Sequence, residues 1–178
     1  MVRGKCNIAK TKLLERAKRI RLVLTDVDGV LTDGGVYYSA RGEEMKRYNI
    51  RDGMGMVRLK EHGIEVGILT RENTPTVVKR AEKLNIALLY EGVTDKLKTL
   101  NDIVRKTGFD ATAIAFIGDD VNDLEVLREV GLSASPGDAL PVVLSAVHYI
   151  CSLHGGSGAF REFAELILEA QGFQKSGG

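Results

Sequence analysis

The sequence is poor in cysteine and contains no long apolar run, and each absence excludes a class of protein. Its two cysteines, Cys6 and Cys151, are too few and too far apart for a metal site or a disulfide framework. No apolar run approaches the roughly eighteen residues of a membrane helix, and the first residues lack the apolar stretch of a signal peptide. These features predict a protein of the reducing cytoplasm without a membrane partner.

Net charge is also small, at +1, but it is unevenly distributed. Residues 1–21 carry eight Lys or Arg side chains against Glu15 alone, so this segment is +7 and the remainder is −6. A nucleic-acid-binding arm would have this charge. Apolar residues nevertheless recur there at helical spacing, at Ala9, Leu13, Ala17 and Ile20. With no aromatic side chains among the charges to stack on bases, we predict that residues 1–20 form a basic helix packed on the domain, without nucleic-acid binding.

The rest of the chain has the length and the 44% hydrophobic content of one globular domain. Short apolar runs alternate with helical patterns, and we predict strands at Arg21–Thr25, Val66–Thr70, Ala113–Ile117, Leu132–Ala134 and Ala146–Ile150. This alternation is typical of an α/β fold with a doubly wound parallel sheet. The predicted domain covers residues 21–172, followed by a tail at 173–178 whose last four residues we expect to be frayed.

One stretch interrupts the alternation. Residues 34–50 contain two β-rich runs around a turn at residues 40–42, which predicts a β-hairpin inserted after the first strand.

Four polar motifs follow predicted strands or begin the next helix: Asp26-x-Asp28, Thr70, Lys96 and Asp119-Asp120-x-x-Asp123. Because ligands bind at the carboxyl ends of parallel strands, we expect these groups to meet in one pocket suited to phosphoryl transfer. Asp26 would attack phosphorus. Asp28, two residues on in extended chain, would face the same side and act as acid and base.

The remaining groups would balance charge. Lys96 would provide a fixed positive charge, and the Thr70 hydroxyl would orient a phosphoryl oxygen. A ligand set of oxygens alone, without His or Cys, indicates Mg²⁺.

Each motif alone has a simpler explanation. Asp-x-Asp-Gly also occurs in turns, Thr70 could cap a helix, Lys96 could be a solvated surface lysine, and Asp119 and Asp120 could be N-caps. Their occurrence together and in order at successive strand ends favours a shared site.

At these motifs the chain resembles a haloacid dehalogenase superfamily phosphatase. It is similar to the small capless branch that acts on 3-deoxy-octulosonate 8-phosphate and on nonulosonate 9-phosphates, a likeness carried further by Arg51-Asp-Gly53, Asp95-Lys96 and residues 155–162. The resemblance implies the superfamily's Rossmann-like fold and catalytic roles for Asp26, Asp28, Thr70 and Lys96. It further implies Mg²⁺ held by Asp26, the Asp28 carbonyl and Asp119, with Asp120 and Asp123 behind them.

The resemblance also implies a small-molecule sugar-acid phosphate as substrate, and a place in lipopolysaccharide or sialic acid biosynthesis. Substrate contacts would come from Thr32, Gly34, Glu72, Arg80, Lys83 and Arg161. The branch is typically homotetrameric, and the sequence independently favours assembly. The intervals from Asp33 to Gly53 and from Thr70 to Lys96 are too short for a cap domain, so a neighbouring subunit would have to exclude water from the site. The alternative is a hairpin packed on its own domain.

Thr70 is followed by Arg-Glu-Asn where the octulosonate branch would have Gly-Arg. Glu72, Arg80 and Lys83 resemble the nonulosonate branch instead, although Arg80 and Lys83 could also be a solvated helix surface. We therefore expect 2-keto-3-deoxynononate 9-phosphate as the leading substrate, with 3-deoxy-D-manno-octulosonate 8-phosphate as the alternative.

Two other classes use similar residues. A two-component receiver domain has clustered acids, a Thr, a Lys and Mg²⁺, but its phospho-accepting aspartate ends a middle strand, and no aspartate ends the Val66–Thr70 run. The second is a catalytically silent oligomerising domain beside a sugar-acid cytidylyltransferase. The presence of every catalytic group argues against it.

Overall fold

The structure is a computed structural model and describes residues 4–173. Within this range the strands are β1 Lys5–Cys6, β2 Leu22–Thr25, β3 Val36–Ser39, β4 Gly42–Lys46, β5 Glu65–Leu69, β6 Leu88–Tyr90, β7 Ile114–Ile117, β8 Leu132–Ser135 and β9 Tyr149–Ile150. The α-helices are α1 Lys10–Lys18, α2 Ile50–Glu61, α3 Pro75–Lys83, α4 Lys96–Thr107, α5 Leu124–Glu129, α6 Pro141–Ala146 and α7 Ala159–Ala170. Single 3₁₀ turns occupy Ala111–Ala113 and Val121–Asp123.

Seven strands form one sheet in the order β1-β9-β8-β7-β2-β5-β6, and two form the separate hairpin β3-β4. All neighbours in the large sheet are parallel except β1, which pairs antiparallel with β9. From the central β2 the chain winds to β5 on one side and later to β7 on the other, so the predicted doubly wound fold is confirmed. Such a reversal of winding beside the central strand is where α/β proteins bind ligands.

Helices cover both faces of the sheet because side chains alternate along each strand. In β2, Val23 belongs to the core beneath α1, α2, α3 and α7, whereas Leu22 and Leu24 belong to the core beneath α4, α5 and α6. Burial of both faces explains the near-continuous apolar character of the strand runs.

The predicted run Ala146–Ile150 is mostly not a strand. Pro141 begins α6, which extends to Ala146, and only Tyr149 and Ile150 pair with β8. Proline at the first turn fixes a helical φ and lacks only an N–H that the helix would leave unpaired. The two-residue β1 was not predicted, since so short a strand has no periodic pattern.

The ends of the described chain pack on the domain. Leu13 and Ala17 of α1 are fully buried, against α7. Phe173, assigned by sequence to the tail, instead has its ring centroid 4.3 Å from that of His62. The rest of the predicted tail, including the four residues expected to be frayed, lies outside the described residues.

The hairpin β3-β4 turns at residues 40–41, as predicted, and Gly42 follows with a φ of +106° that favours glycine. It lies between the first strand of the domain and α2. None of the described residues forms a cap domain. Among residues 4–173, no helix is long and apolar enough to cross a membrane.

Candidate active site

Three aspartates meet where two adjacent strands end. Thr25 and Ile117 are register partners at the ends of β2 and β7, and the Asp26 amide donates to the Ile117 carbonyl at 3.0 Å. The residues that follow β2 and β7 therefore lie close together at this edge of the sheet. Carboxylate oxygens of Asp26, Asp119 and Asp123 lie within 4.8 Å of one another.

Lys96 lies beneath this cluster. It is the first residue of α4, directly after the N-cap Asp95. Its Nζ atom lies 3.0 Å from Asp26 Oδ1 and 2.6 Å from Asp123 Oδ1, and the residue is only 4% exposed. A buried ammonium group with two carboxylate partners is fixed in place, so the simpler explanation of Lys96 as a surface lysine is wrong.

Asp123 is the anchor of the cluster. It is fully buried, and its Oδ2 atom accepts from the amides of Asp119 at 3.0 Å and Asp120 at 3.3 Å. Its other oxygen is held by Lys96. Both oxygens of Asp123 thus accept hydrogen bonds from the protein, which orients the loop carrying Asp119.

The concentration of negative charge changes the ionisation of the cluster. Burial raises the pKa of Asp26 to about 7, although Lys96 opposes the shift. Burial and the neighbouring carboxylates of Asp26 and Asp123 raise the pKa of Asp119 to about 8. Burial alone would lower the pKa of Lys96, but Asp26 and Asp123 outweigh it and raise that pKa. One lysine does not neutralise three carboxylates, so the site lacks positive charge.

The geometry fits a hard divalent cation. Asp119 Oδ1 is buried without a hydrogen-bond partner among the described residues, an arrangement that costs free energy unless a ligand meets the atom. All the candidate donors are oxygens, as Mg²⁺ prefers. Gly29, with a φ of +80°, passes so close that a Cβ there would lie 2.0 Å from Asp119 Oδ2. The backbone around Asp28 therefore approaches the same position as the carboxylates.

Asp28 lies beside the cluster, but the reason given from the sequence is wrong. β2 ends at Thr25 and residues 28–31 form a turn, so Asp26 and Asp28 are not on one face of an extended strand. The Asp28 carboxylate instead lies between Thr32, whose Oγ1 is 3.4 Å from Oδ1, and Lys46, whose Nζ is 2.8 Å from Oδ2. Its side chain remains 29% exposed and is open to a ligand.

Thr70 follows β5 and is 1% exposed. Its Oγ1 accepts from the Glu72 amide at 3.2 Å, while the backbone is held by Tyr90 and Val93. Because the oxygen acts as acceptor there, its own proton stays available for a ligand oxygen. The N-cap of α3 is Thr74, so the explanation of Thr70 as a helix cap is wrong.

The predicted substrate-binding residues differ in their exposure and in their partners. Thr32 is fully buried in the Asp26–Asp33 loop, where its Oγ1 accepts from the Gly34 amide at 3.2 Å; Gly34 itself is exposed. Arg80 Nη2 donates to the Asn49 carbonyl at 3.0 Å and its guanidinium lies 5.3 Å from the centroid of the Tyr48 ring.

The other three predicted contacts also differ in exposure. Glu72 and Lys83 are exposed. Arg161 is half-buried and pairs with Glu165 at 2.7 Å. Arg80 uses one N–H on the Asn49 carbonyl and keeps other N–H donors, so the expected grip on a sugar carboxylate by Arg80 and Lys83 stays a prediction.

Asp120 has the capping role that was one of its two predicted roles, and its place behind the metal ligands stays a prediction. It is exposed, caps the 3₁₀ turn at Val121–Asp123 and accepts from the Val121 amide at 2.6 Å. Its carboxylate is not among those that meet at the candidate metal site.

Sequence reasoning missed two buried charged residues near the site. Lys46 ends β4 and reaches Asp28. Asp52, in the first turn of α2, accepts from the Arg161 amide at 2.9 Å and so holds the start of α7. Neither residue stands in a motif that indicates its partner. The only signal in the sequence was the triplet Arg51-Asp-Gly53, which contains Asp52.

Comparison with known proteins agrees with this geometry. A family model for haloacid dehalogenase-like hydrolases matches residues 68–161. The chain belongs to the haloacid dehalogenase-like hydrolases. The predictions of this superfamily and of a phosphomonoesterase are confirmed, and membership argues against a receiver domain.

Relatives of this hydrolase include phosphatases that are named for one substrate. The 3-deoxy-D-manno-octulosonate 8-phosphate phosphatase of Yersinia pestis is 41% identical over 159 residues, covering 89% of this chain and 85% of that protein. The phosphatase of the same name from Haemophilus influenzae is 40% identical over 158 residues, covering 89% and 88%.

Solved structures give the same fold. The crystal structure of the Yersinia pestis phosphatase matches with a TM-score of 0.90 at 40% identity, covering 93% of this chain and 89% of that one. The Moraxella catarrhalis phosphatase, solved with a magnesium ion, a phosphate ion and a KDO molecule, matches with a TM-score of 0.89 at 37% identity, covering 92% and 94%. The Haemophilus influenzae phosphatase, solved in a cobalt-bound form, matches with a TM-score of 0.86 at 40% identity, covering 88% and 92%.

Proposed function

We propose that this hydrolase is a Mg²⁺-dependent phosphatase acting on 3-deoxy-D-manno-octulosonate 8-phosphate. The observation that carries the proposal is the buried cluster of Asp26, Asp119 and Asp123 around Lys96, with one Asp119 oxygen left unpartnered. Relatives of this name, about 40% identical, support the choice of substrate.

Bound Mg²⁺ would be held by Asp26, the Asp28 carbonyl and Asp119, and would supply positive charge for the ester oxygens and the carboxylates. Lys96 Nζ lies 3.0 Å from Asp26 Oδ1 and holds that carboxylate in place. The Asp26 carboxylate attacks phosphorus as the bond from phosphorus to the sugar oxygen breaks, which gives a phospho-aspartate. The Thr70 hydroxyl donates to a phosphoryl oxygen and helps to orient it.

Asp28 carries the proton in both half-reactions. It donates to the departing sugar oxygen, which leaves as the alcohol, and its carboxylate then takes a proton from water. The resulting hydroxide oxygen bonds to phosphorus, the bond to Asp26 breaks, and inorganic phosphate leaves with Asp26 restored. The partial exposure of the Asp28 side chain, 29%, suits a group that must reach both sugar and water.

The nine-carbon substrate expected from the sequence has less support. That expectation rested on Glu72, Arg80 and Lys83, and one N–H of Arg80 already donates to Asn49 while its guanidinium lies beside the Tyr48 ring. The octulosonate alternative also agrees with the names of the relatives. We therefore place the enzyme in lipopolysaccharide biosynthesis.

We further propose that the protein is a homotetramer whose hairpin contacts a neighbour and helps to close the site. Large apolar side chains are exposed along β3, β4 and the first turns of α2: Val36, Tyr37, Tyr38, Met45, Ile50 and Met54. Monomers rarely expose many large apolar side chains along one stretch of the surface.

The substrate proposal is tested by measuring kcat/KM for phosphate release from the eight-carbon and nine-carbon sugar-acid phosphates, with Mg²⁺ and with excess chelator. We expect the eight-carbon ester to be preferred and chelation to abolish turnover. A preference for the nine-carbon ester would contradict the proposed substrate, and full activity in chelator would contradict the metal site.

A further inference from the structure

Lys46 is a buried cation on an otherwise exposed hairpin. Its side chain is 1% exposed, whereas Tyr37, Tyr38 and Met45 of the same hairpin are each more than half exposed. Burial of an ammonium group is costly unless it is paired. The contacts that compensate this cost should therefore indicate what Lys46 does.

The nearer partner of Lys46 belongs to the catalytic loop. Its Nζ atom lies 2.8 Å from Asp28 Oδ2, and 3.7 Å from Oε1 of Glu43 on the same hairpin. The first distance is that of a charge-assisted hydrogen bond, and the second is that of a longer ion pair. A lysine that only stabilised the hairpin would be held most closely by Glu43, so the geometry directs it to Asp28.

The other support of Asp28 is weaker. The Thr32 hydroxyl lies 3.4 Å from Asp28 Oδ1 and also 3.4 Å from the Val27 carbonyl, so its single proton is divided between two long contacts. Lys46 therefore provides the strongest directional contact recorded for this carboxylate. Because the backbone from Asp28 is a turn and not a strand, that contact determines where the carboxylate points.

We propose that Lys46 is a positioning residue, which acts through Asp28: it holds Oδ2 of the carboxyl group, so that Oδ1 carries the proton toward the oxygen that leaves with the substrate. The inference rests on the proposed role of Asp28 as proton donor. It also gives the hairpin a part in catalysis within its own subunit.

If Lys46 positions the proton donor, the effect of changing Lys46 on kcat/KM should depend on the leaving group of the substrate. The leaving group of an alkyl phosphate is a strongly basic alkoxide, which needs a well-placed proton donor. The leaving group of p-nitrophenyl phosphate, p-nitrophenolate, departs without one. General acid catalysis contributes about 10²–10⁴-fold. The change Lys46→Met removes the charge and keeps the length of the side chain. It should lower kcat/KM for ethyl phosphate by about 10²-fold and that for p-nitrophenyl phosphate much less.

The quantity to measure is the ratio of kcat/KM for ethyl phosphate to that for p-nitrophenyl phosphate, with saturating Mg²⁺. Since kcat/KM reports only the steps through phosphoryl transfer to the enzyme, slow hydrolysis of the phospho-enzyme does not obscure it. Arg47→Met is the matched control: Arg47 is the next residue and pairs with Asp33 at 2.6 Å. We expect its ratio to equal that of the wild type.

A double-mutant cycle tests whether Lys46 acts through Asp28. In the Asp28→Asn background, Lys46→Met should leave the ratio unchanged, because the two changes remove one function. Equal loss on both esters, or an undiminished effect of Lys46→Met in that background, would overturn the proposal and indicate a direct contact with phosphate or a purely structural role. Thermal unfolding verifies folding, and Lys46→Gln replaces Lys46→Met in the same measurements if the latter does not fold.

Because ethyl phosphate and p-nitrophenyl phosphate are generic esters, they test the role of Lys46 independently of the proposed substrate. A wild-type enzyme that hydrolyses both esters but not 3-deoxy-D-manno-octulosonate 8-phosphate contradicts the substrate, while the ratio still decides the role of Lys46. If Asp28→Asn itself leaves the ratio unchanged, Asp28 is not the proton donor and the proposal for Lys46 falls with it.

Discussion

At the scale of single residues, the site gathers more negative charge than its lysine can balance. Asp26, Asp119 and Asp123 share one ammonium group, and burial raises the pKa of Asp26 to about 7 and that of Asp119 to about 8. Folding without a metal must therefore either bury unbalanced charge or take up protons. The clustered carboxylates that suit a divalent cation therefore lower the free energy of unfolding of the metal-free protein.

The change Asp119→Asn should reveal this cost. In the wild type, between pH 3.8 and about 8, the folded carboxyl keeps a proton that the unfolded chain has released. The free energy of unfolding therefore falls as pH rises through that interval. In chelator at pH 8, Asp119→Asn should have a higher melting temperature than the wild type, and the difference should shrink toward pH 4.

Added Mg²⁺ should reverse the order, because ligand binding stabilises the folded wild type and the variant lacks a ligand. Glu129→Gln, which changes an exposed carboxylate at the end of α5, is the control and should show neither effect. A lower melting temperature of Asp119→Asn in chelator at every pH would contradict the charge argument.

The change Asp26→Asn keeps the shape of the side chain and removes the attacking charge. We expect kcat to fall by about 10⁴-fold or more, equivalent to about 5 kcal/mol or more of barrier. Mass spectrometry of acid-quenched enzyme should detect a phosphorylated peptide containing Asp26 in the wild type and none in the variant. Retention of a tenth of the activity would show that another group attacks phosphorus.

At the scale of secondary structure, the site residues that directly follow predicted strands could be placed from the sequence. Val23 and Thr25 stand in an apolar run that could only be a buried strand, so the places of Asp26 and Asp119 followed from parallel pairing. The position of Lys96 at a helix start is equally local. Asp28 was harder, because the turn after β2 is set by contacts with distant residues, among them Gly156, whose amide donates to the Val30 carbonyl at 2.9 Å.

The contacts of Lys46 and Arg80 could not be predicted for the same reason. Each depends on how the hairpin and α2 are placed over the sheet, which no periodic pattern records. A hydrophobic pattern determines which face of an element is buried, but not which buried polar groups will meet across elements.

One such contact joins α2 to α7. Asp52 is 1% exposed and accepts from the Arg161 amide, which caps a helix whose own N-cap residue is Gly158. Asp52→Ala would leave that partly buried N–H without its partner, and we expect it to lower the free energy of unfolding by about 1–3 kcal/mol. Asp52→Asn keeps an acceptor oxygen and should lose clearly less. Urea titration of both variants measures the difference, and equal losses would show that the cap is unimportant.

At the scale of the whole molecule, the candidate site lies at the sheet edge with no cap domain among the described residues. Between β2 and α2 the described chain forms this hairpin, whose exposed side chains include the large apolar Tyr37, Tyr38 and Met45. Lys46 ties the base of this hairpin to Asp28. A subunit contact made by the hairpin would thus exclude water from the site and steady the proton donor together.

Assembly and substrate preference should therefore change together. Tyr38→Glu places a charge on the residue that is 73% exposed in the single chain, and burial of that charge at an interface would be unfavourable. We expect a smaller mass by light scattering, and a larger loss of kcat/KM for the sugar-acid phosphate than for p-nitrophenyl phosphate, which needs only the phosphate-binding groups. Val142→Glu, at a residue 45% exposed on α6, is the matched control and should alter neither. A Tyr38→Glu protein that is monomeric yet keeps the wild-type preference would show that each site is complete within one chain, while a variant of unchanged mass would place the interface elsewhere.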